Sequence, residues 1–142
     1  MPDICRQTET VKIKFQVFQD DGFDFFTEML PCLHNFLVND TTTFLSNPRH
    51  LEIVYTMCQK VLRSNAGEDP EQHAVKLLEC VILQCRGEIN QILPKLLELA
   101  LERLMKEIKT AELRQMCLQV SMLKFKFSFE TFVETRHHNT FS

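Results

Sequence analysis

Glycine is scarce in this chain: Gly22, Gly67 and Gly87 are the only three in 142 residues. No Gly-rich phosphate loop can be assembled from them, so the common nucleotide-binding motifs are excluded. Tryptophan is absent, and no two of the six cysteines form a Cys-x-x-Cys pair, which removes the usual zinc-ribbon and redox spacings. Cys5, Cys32, Cys58, Cys80, Cys85 and Cys117 are scattered, mostly on positions marked apolar by helical periodicity. They read as small buried hydrophobes in a reducing compartment. No apolar run approaches the ~18 residues of a membrane helix, and Met1 to Gln16 carries no apolar block of signal-peptide type. The expected location is the cytoplasm and nucleus. No Ser, His and Asp set is marked by a sharp strand-to-helix turn. His73, Cys80 and Cys85 share one helix at spacings of 7 and 5, which does not converge ligands on a metal, and His137-His138 lies in a polar end. Neither catalysis, nor a cofactor, nor a metal is expected.

Charge is uneven along the chain. Val17 to Val120 holds 10 Lys plus Arg against 15 Asp plus Glu, while the segments on either side each carry a net charge of +1. An acidic middle repels nucleic acid and favours basic partners, although a solvated helix face is the simpler account of clusters such as Asp20, Asp21 and Asp24.

What is present is helix. From Gly67 to Gly87 the spacing predicts one with both ends written in. Asp69 stands at the N-cap, Pro70 at the first helical position, Gln72 at N3 as in a capping box, and Gly87 at the stop. Its Ala74, Val75, Leu77, Leu78, Val81, Ile82 and Cys85 cover more than half of the circumference, so it needs neighbours on two or three sides.

Around it the chain repeats the theme. Phe23, Phe26, Met29, Leu30, Leu33, Phe36 and Leu37 predict a helix from Phe23 to about Val38, bent at Pro31. Asn39 to Asn47 is rich in residues that bond their own backbone and reads as a connection. Asn47 then caps a helix opened by Pro48, with Leu51, Val54, Met57, Cys58, Val61 and Leu62 inward. After Gly87 a further helix turns Ile89, Ile92, Leu93, Leu96, Leu97, Ala100, Leu101, Leu104 and Ile108 inward, with Glu102 and Lys106 paired outside. Thr110 caps a last regular helix, Ala111 to Val120. Both ends break the pattern. Val11, Ile13, Phe15 and Val17 alternate with polar residues, as do Leu123, Phe125, Phe127 and Phe129, so strand-like or irregular ends are expected at residues 1–16 and 121–142.

Two internal alignments favour a solenoid over a bundle. Val75-Lys76-Leu77-Leu78 and Leu113-Arg114-Gln115-Met116 lie 38 residues apart, near one HEAT or armadillo unit. Met29-Leu30-Pro31-Cys32-Leu33 and Ile92-Leu93-Pro94-Lys95-Leu96 lie 63 apart, close to one and a half units, which places one proline on an outer helix and the other on an inner one.

Val17-Phe18-Gln19-Asp20-Asp21, Met29-Leu30-Pro31 with Leu33-His34-Asn35, Ala66-Gly67-Glu68-Asp69, Lys76-Leu77-Leu78-Glu79, Ala100-Leu101-Glu102-Arg103-Leu104 and Met116-Cys117-Leu118-Gln119-Val120 follow one another collinearly. Over about Val17 to Val120 the chain resembles a mid-to-late section of the importin-beta (karyopherin) superfamily, in the subgroup of importin seven and importin eight. It departs from that pattern before Val17, after Val120 and by a shorter stretch around Gly87 to Leu93. The resemblance implies an all-α, HEAT-repeat (armadillo-like) solenoid fragment of about five helices, and a part in nuclear protein transport. The implied partners are basic cargo proteins such as ribosomal proteins and histones and, for the full-length family, the GTPase Ran and nucleoporins, with no direct contact to nucleic acid or membrane.

Cargo in such solenoids lies on the surface formed by the second helix of each pair. On the resemblance these are Phe23 to Val38, Pro70 to Arg86 and Ala111 onward, which makes Asp24, Glu28, Glu79 and Glu112 the candidate contacts for basic cargo. Surface solubility explains the same acids. The rival reading is a free-standing helical scaffold or adaptor whose two terminal segments pair as a two-stranded cover.

Overall fold

The computed structural model describes residues 26–140, with side chains described for residues 26–126. Among them are six helices and no strand: α1 (Phe26–Asn39), α2 (Thr41–Ser46), α3 (Pro48–Arg63), α4 (Glu68–Gln84), α5 (Leu93–Leu104) and α6 (Ala111–Thr140).

Helix α4 is the centre of the stack, packed against α1, α3, α5 and α6. Its buried set includes every apolar position expected from periodicity, Ala74, Val75, Leu77, Leu78, Val81, Ile82 and Cys85. A helix with so wide an apolar face can be satisfied only by neighbours on several sides. α1, α4 and α6 lie side by side in one layer. α3 and α5 form the second, α3 against α4 and α5 against α6. This is the helix-pair stacking of a HEAT-type solenoid, and it puts Pro31 of α1 and Pro94 of α5 in opposite layers, as the 63-residue offset requires.

The ends of the helices correct several expectations. α4 begins at Glu68, not at Pro70. Gly67 occupies the N-cap at φ +108°, a conformation that side-chain-bearing residues rarely adopt, and it supplies no side-chain cap. Asp69 therefore sits inside the first turn, where its charge still suits the helix dipole. Pro70 remains tolerable because the amides of the first turn have no intrahelical acceptor. Asn47 does cap α3, its side chain accepting from the Arg49 amide at 3.0 Å.

The segment Asn39 to Asn47 is more ordered than a bare connection. Its hydroxyls do bond locally, Thr41 Oγ1 to the Leu37 carbonyl at 2.6 Å and Thr43 Oγ1 to Asp40 Oδ1 at 2.7 Å, but the result is the short helix α2. The reason is Phe44, which is fully buried with its ring edge-on to Phe36 at 5.6 Å and beside His50 at 5.5 Å. His50 is itself buried, donating from Nδ1 to the Phe44 carbonyl at 3.1 Å, while its Nε2 has no partner.

The largest correction concerns the C-terminal segment. Alternation from Leu123 to Phe129 predicted a strand, yet the backbone continues as α6 to Thr140. Leu113, Cys117, Val120 and Leu123 are all buried at helical spacing, so the seam that anchors α6 runs straight into the alternating stretch. A helix satisfies its backbone groups within itself, whereas a strand there would need a partner strand. The two-stranded cover of the rival reading therefore cannot form from residues 121–140. The N-terminal alternation at Val11 to Val17 and the helical start at Phe23 lie outside the described residues.

Within α5, Leu99 is buried and Leu101 is exposed, the reverse of the expectation for Leu101. Glu102 does not pair with Lys106, which falls beyond the helix end. It accepts two bonds from Arg63, each 2.9 Å, and so joins α5 to α3. Cys58, Cys80, Cys85 and Cys117 are buried as expected, but Cys32 is exposed. Burial pushes the Cys85 and Cys117 thiols up to about 11, away from the thiolate that reactive chemistry requires.

Candidate functional site

The layer α1, α4, α6 carries the surface that sequence reasoning selected. Glu28 is exposed on α1, Glu112 is exposed on α6, and Glu79 is half-buried on α4. Asp24 lies outside the described residues.

Glu79 does not stand on a plain solvated face. It lines a groove of about 510 Å³ between α4 and α6, together with Leu83, Gln115, Leu118, Gln119, Met122, Leu123 and Lys126, so one acid and one base share the furrow. Glu112 precedes Gln115 by three residues and Gln119 by seven, so helical periodicity sets it on the same side of α6, one turn before the groove. Of the three acids only Glu79 lines a groove; Glu28 and Glu112 line neither.

Periodicity did not identify the apolar part of this face. Leu83, Leu118 and Met122 expose 42 %, 47 % and 59 % of their surface and line the same groove as Glu79. Such a set, rimmed by polar side chains, is the usual form of a protein-binding surface. The signal was present in the sequence, since these residues fall off the buried stripes of their own helices. A second groove, of about 420 Å³, opens between α1 and α4 and is lined by His34, His73 and Lys76 among others.

Behind the face, α4 is tied to its neighbours by charged groups. Glu71, at the start of α4, accepts from Arg103 of α5 at 2.6 Å, with both side chains buried, and Arg103 also donates to the Glu107 carbonyl at 3.2 Å. Both charges sit on otherwise apolar stripes, Glu71 ahead of Ala74 and Val75, Arg103 after Leu99 and Ala100. An acid and a base so placed were the sequence's hint of a buried pair. Glu68 accepts from the Lys109 amide, the Thr110 amide and the Thr110 hydroxyl. The Thr110 hydroxyl and the Lys109 amide together hold its carboxyl below the ordinary glutamate value. No group of three His, Cys, Asp or Glu side chains suited to a metal occurs among the described residues.

Comparison with known proteins decides the family. The chain is 58 % identical to Importin-8 of Danio rerio over 109 residues, covering 76 % of this chain and 11 % of that protein. It is 52 % identical to Importin-8 of Homo sapiens over 124 residues, covering 87 % of this chain and 12 % of that protein. The chain belongs to the importin-beta family, in its importin-7/8 group. This importin chain is also 29 % identical to a probable importin-7 homologue of Dictyostelium discoideum over 91 residues, covering 63 % of this chain and 8 % of that protein. It spans roughly a tenth of the length of the importins it matches. No family model and no solved structure matches it. The α1–α4–α6 face is accordingly a section of an importin's helical stack. Its relatives carry the name of a transport receptor, not of an enzyme.

Proposed function

We propose that this chain is a cargo-holding section of a nuclear transport receptor, contributing part of the surface that grips basic proteins during Ran-dependent import from cytoplasm to nucleus. The observation that carries the reading is the 52–58 % identity to Importin-8, spread over most of the chain. The geometry is compatible: α1, α4 and α6 form one layer, and on it Glu79 lines a furrow with exposed Leu83, Leu118 and Met122 and with Lys126, while exposed Glu112 lies one turn earlier on α6. Carboxylates beside exposed aliphatic groups complement a basic segment that also carries aliphatic or aromatic side chains. Ribosomal proteins and histones are cargo of this chemistry, and Ran and nucleoporins are the partners of the longer family members. The free-standing scaffold reading has no observation in its favour.

Size-exclusion chromatography with light scattering tests this, with the purified chain run alone and with an excess of histone. The expected result is a complex that dissociates as salt is raised and that weakens when Glu79→Lys and Glu112→Lys are combined. A chain indifferent to histone, or a complex unaffected by the double variant, overturns the assignment of this face.

A further inference from the structure

On α4, Gln72, Lys76, Glu79 and Leu83 follow one another at helical spacing along the solvent side, and this stripe divides two grooves of different chemistry. On the α6 side lies the acid-bearing furrow described above. On the α1 side the polar wall consists of Thr27, His34 and Asn35 from α1 and of His73 and Lys76 from α4. Each of these five can donate a hydrogen bond, Lys76 brings a full positive charge, and among the described residues no carboxylate lines the groove. Leu30 and Leu77, both nearly buried, form the floor, with exposed Pro31 at its edge. The groove's volume, about 420 Å³, is that of a site for a few side chains.

We propose that this groove binds an acidic peptide segment of a partner protein, an Asp or Glu side chain meeting Lys76 and the two histidines while an adjacent aliphatic side chain rests on Leu30, Pro31 and Leu77. A carboxylate only accepts hydrogen bonds and carries the charge complementary to Lys76, and Thr27, His34, Asn35 and His73 can each turn a donor toward it. A basic segment would face Lys76 and is rejected. This inference does not depend on the transport reading, because it rests on the α1–α4 groove alone.

Fluorescence anisotropy with the full chain and a short fluorescein-labelled peptide of Glu, Leu and Gly tests it, beside the same peptide carrying Gln, and then Lys, in place of each Glu. The Glu peptide should bind at least ~10-fold more tightly than either of the others, and its affinity should fall as salt rises. Lys76→Glu should weaken it by a further ~10-fold, and His73→Leu by a smaller factor, whereas Lys60→Glu on α3 makes the same charge change in the other layer and should have little effect. Both lysines are exposed, so circular dichroism should show the variants folded alike. Equal binding of the Glu and Gln peptides, equal loss in Lys60→Glu and Lys76→Glu, or no binding of the Glu peptide overturns the proposal.

Discussion

Glu68, in the first turn of α4, reaches Thr110 at the start of α6: its carboxylate accepts from the Thr110 amide at 2.9 Å and from the Thr110 hydroxyl at 2.6 Å, with the Lys109 amide at 2.7 Å alongside. Thr110 in turn stands over the opening of its own helix, its Oγ1 accepting from the Leu113 amide at 3.4 Å. One carboxylate from the central helix thereby joins the cap of the next helix of the same layer. Glu68→Ala should lower the melting temperature, because it removes the acceptor of the Lys109 and Thr110 amides.

That same contact fixes a pH dependence. The Glu68 carboxyl is held below the ordinary value of 4.5, so its contribution is complete above that value and disappears as pH falls through the lower, folded-state value. In thermal melts taken from pH 6 downward, the difference between wild type and Glu68→Gln should be constant at first and shrink only in the acid limb below about 4.5. A gap that stays unchanged to the lowest pH at which the chain folds contradicts the assigned role.

The buried pair Glu71–Arg103 should show the asymmetry of such pairs. Arg103→Met alone strands a buried carboxylate and should cost ~3–5 kcal/mol in urea titrations, while the double change Glu71→Leu with Arg103→Met should recover most of that loss. An additive double variant would mean that the two side chains act independently.

Capping separates two residues that look alike in sequence. Asn47→Ala should destabilise the chain by about 1 kcal/mol, because the Asn47 side chain bonds the Arg49 amide. Asp69→Ala should have a much smaller effect, since Gly67 and not Asp69 occupies the N-cap of α4.

Leu123→Pro tests the continuation of α6. In the interior of a helix proline costs ~3 kcal/mol or more, so the ellipticity at 222 nm and the melting temperature should both fall, whereas an irregular or strand-like segment would leave the helical signal intact.

The helical character of the core was readable because periodicity is a local property of the chain. The inward residues of α4 and most of those of α3 are the ones that the 3.6-residue period selects, and the proline offset placed α1 and α5 in opposite layers before any contact was known. Leu123 to Phe129 misled for the same local reason. Alternation is a strand pattern wherever a partner strand exists, and here the seam of Leu113, Cys117, Val120 and Leu123 had already committed the segment to a helix. Asp69 and Pro70 misled because a side chain suited to a cap is no guarantee of its use when glycine supplies the required backbone angle.

The candidate face was half legible. Glu28, Glu79 and Glu112 were visible as acids on outward positions, yet their neighbours were not, since Leu83 meets Leu118 and Met122 only once α4 and α6 are side by side. The sequence by itself determined the core of α1, α3, α4, α5 and the first part of α6, most of their apolar faces and the family, all of which depend on residue order and on spacing within a turn or two. The tertiary structure alone decided which helices touch, that Glu71 meets Arg103 and Glu68 meets Thr110, and that one flank of α4 gathers Lys76 with two histidines while the other gathers Glu79 and Lys126 with exposed aliphatic groups. Those relationships join residues about 30 to 40 positions apart in the chain, and only packing between helices brings such residues within hydrogen-bonding distance.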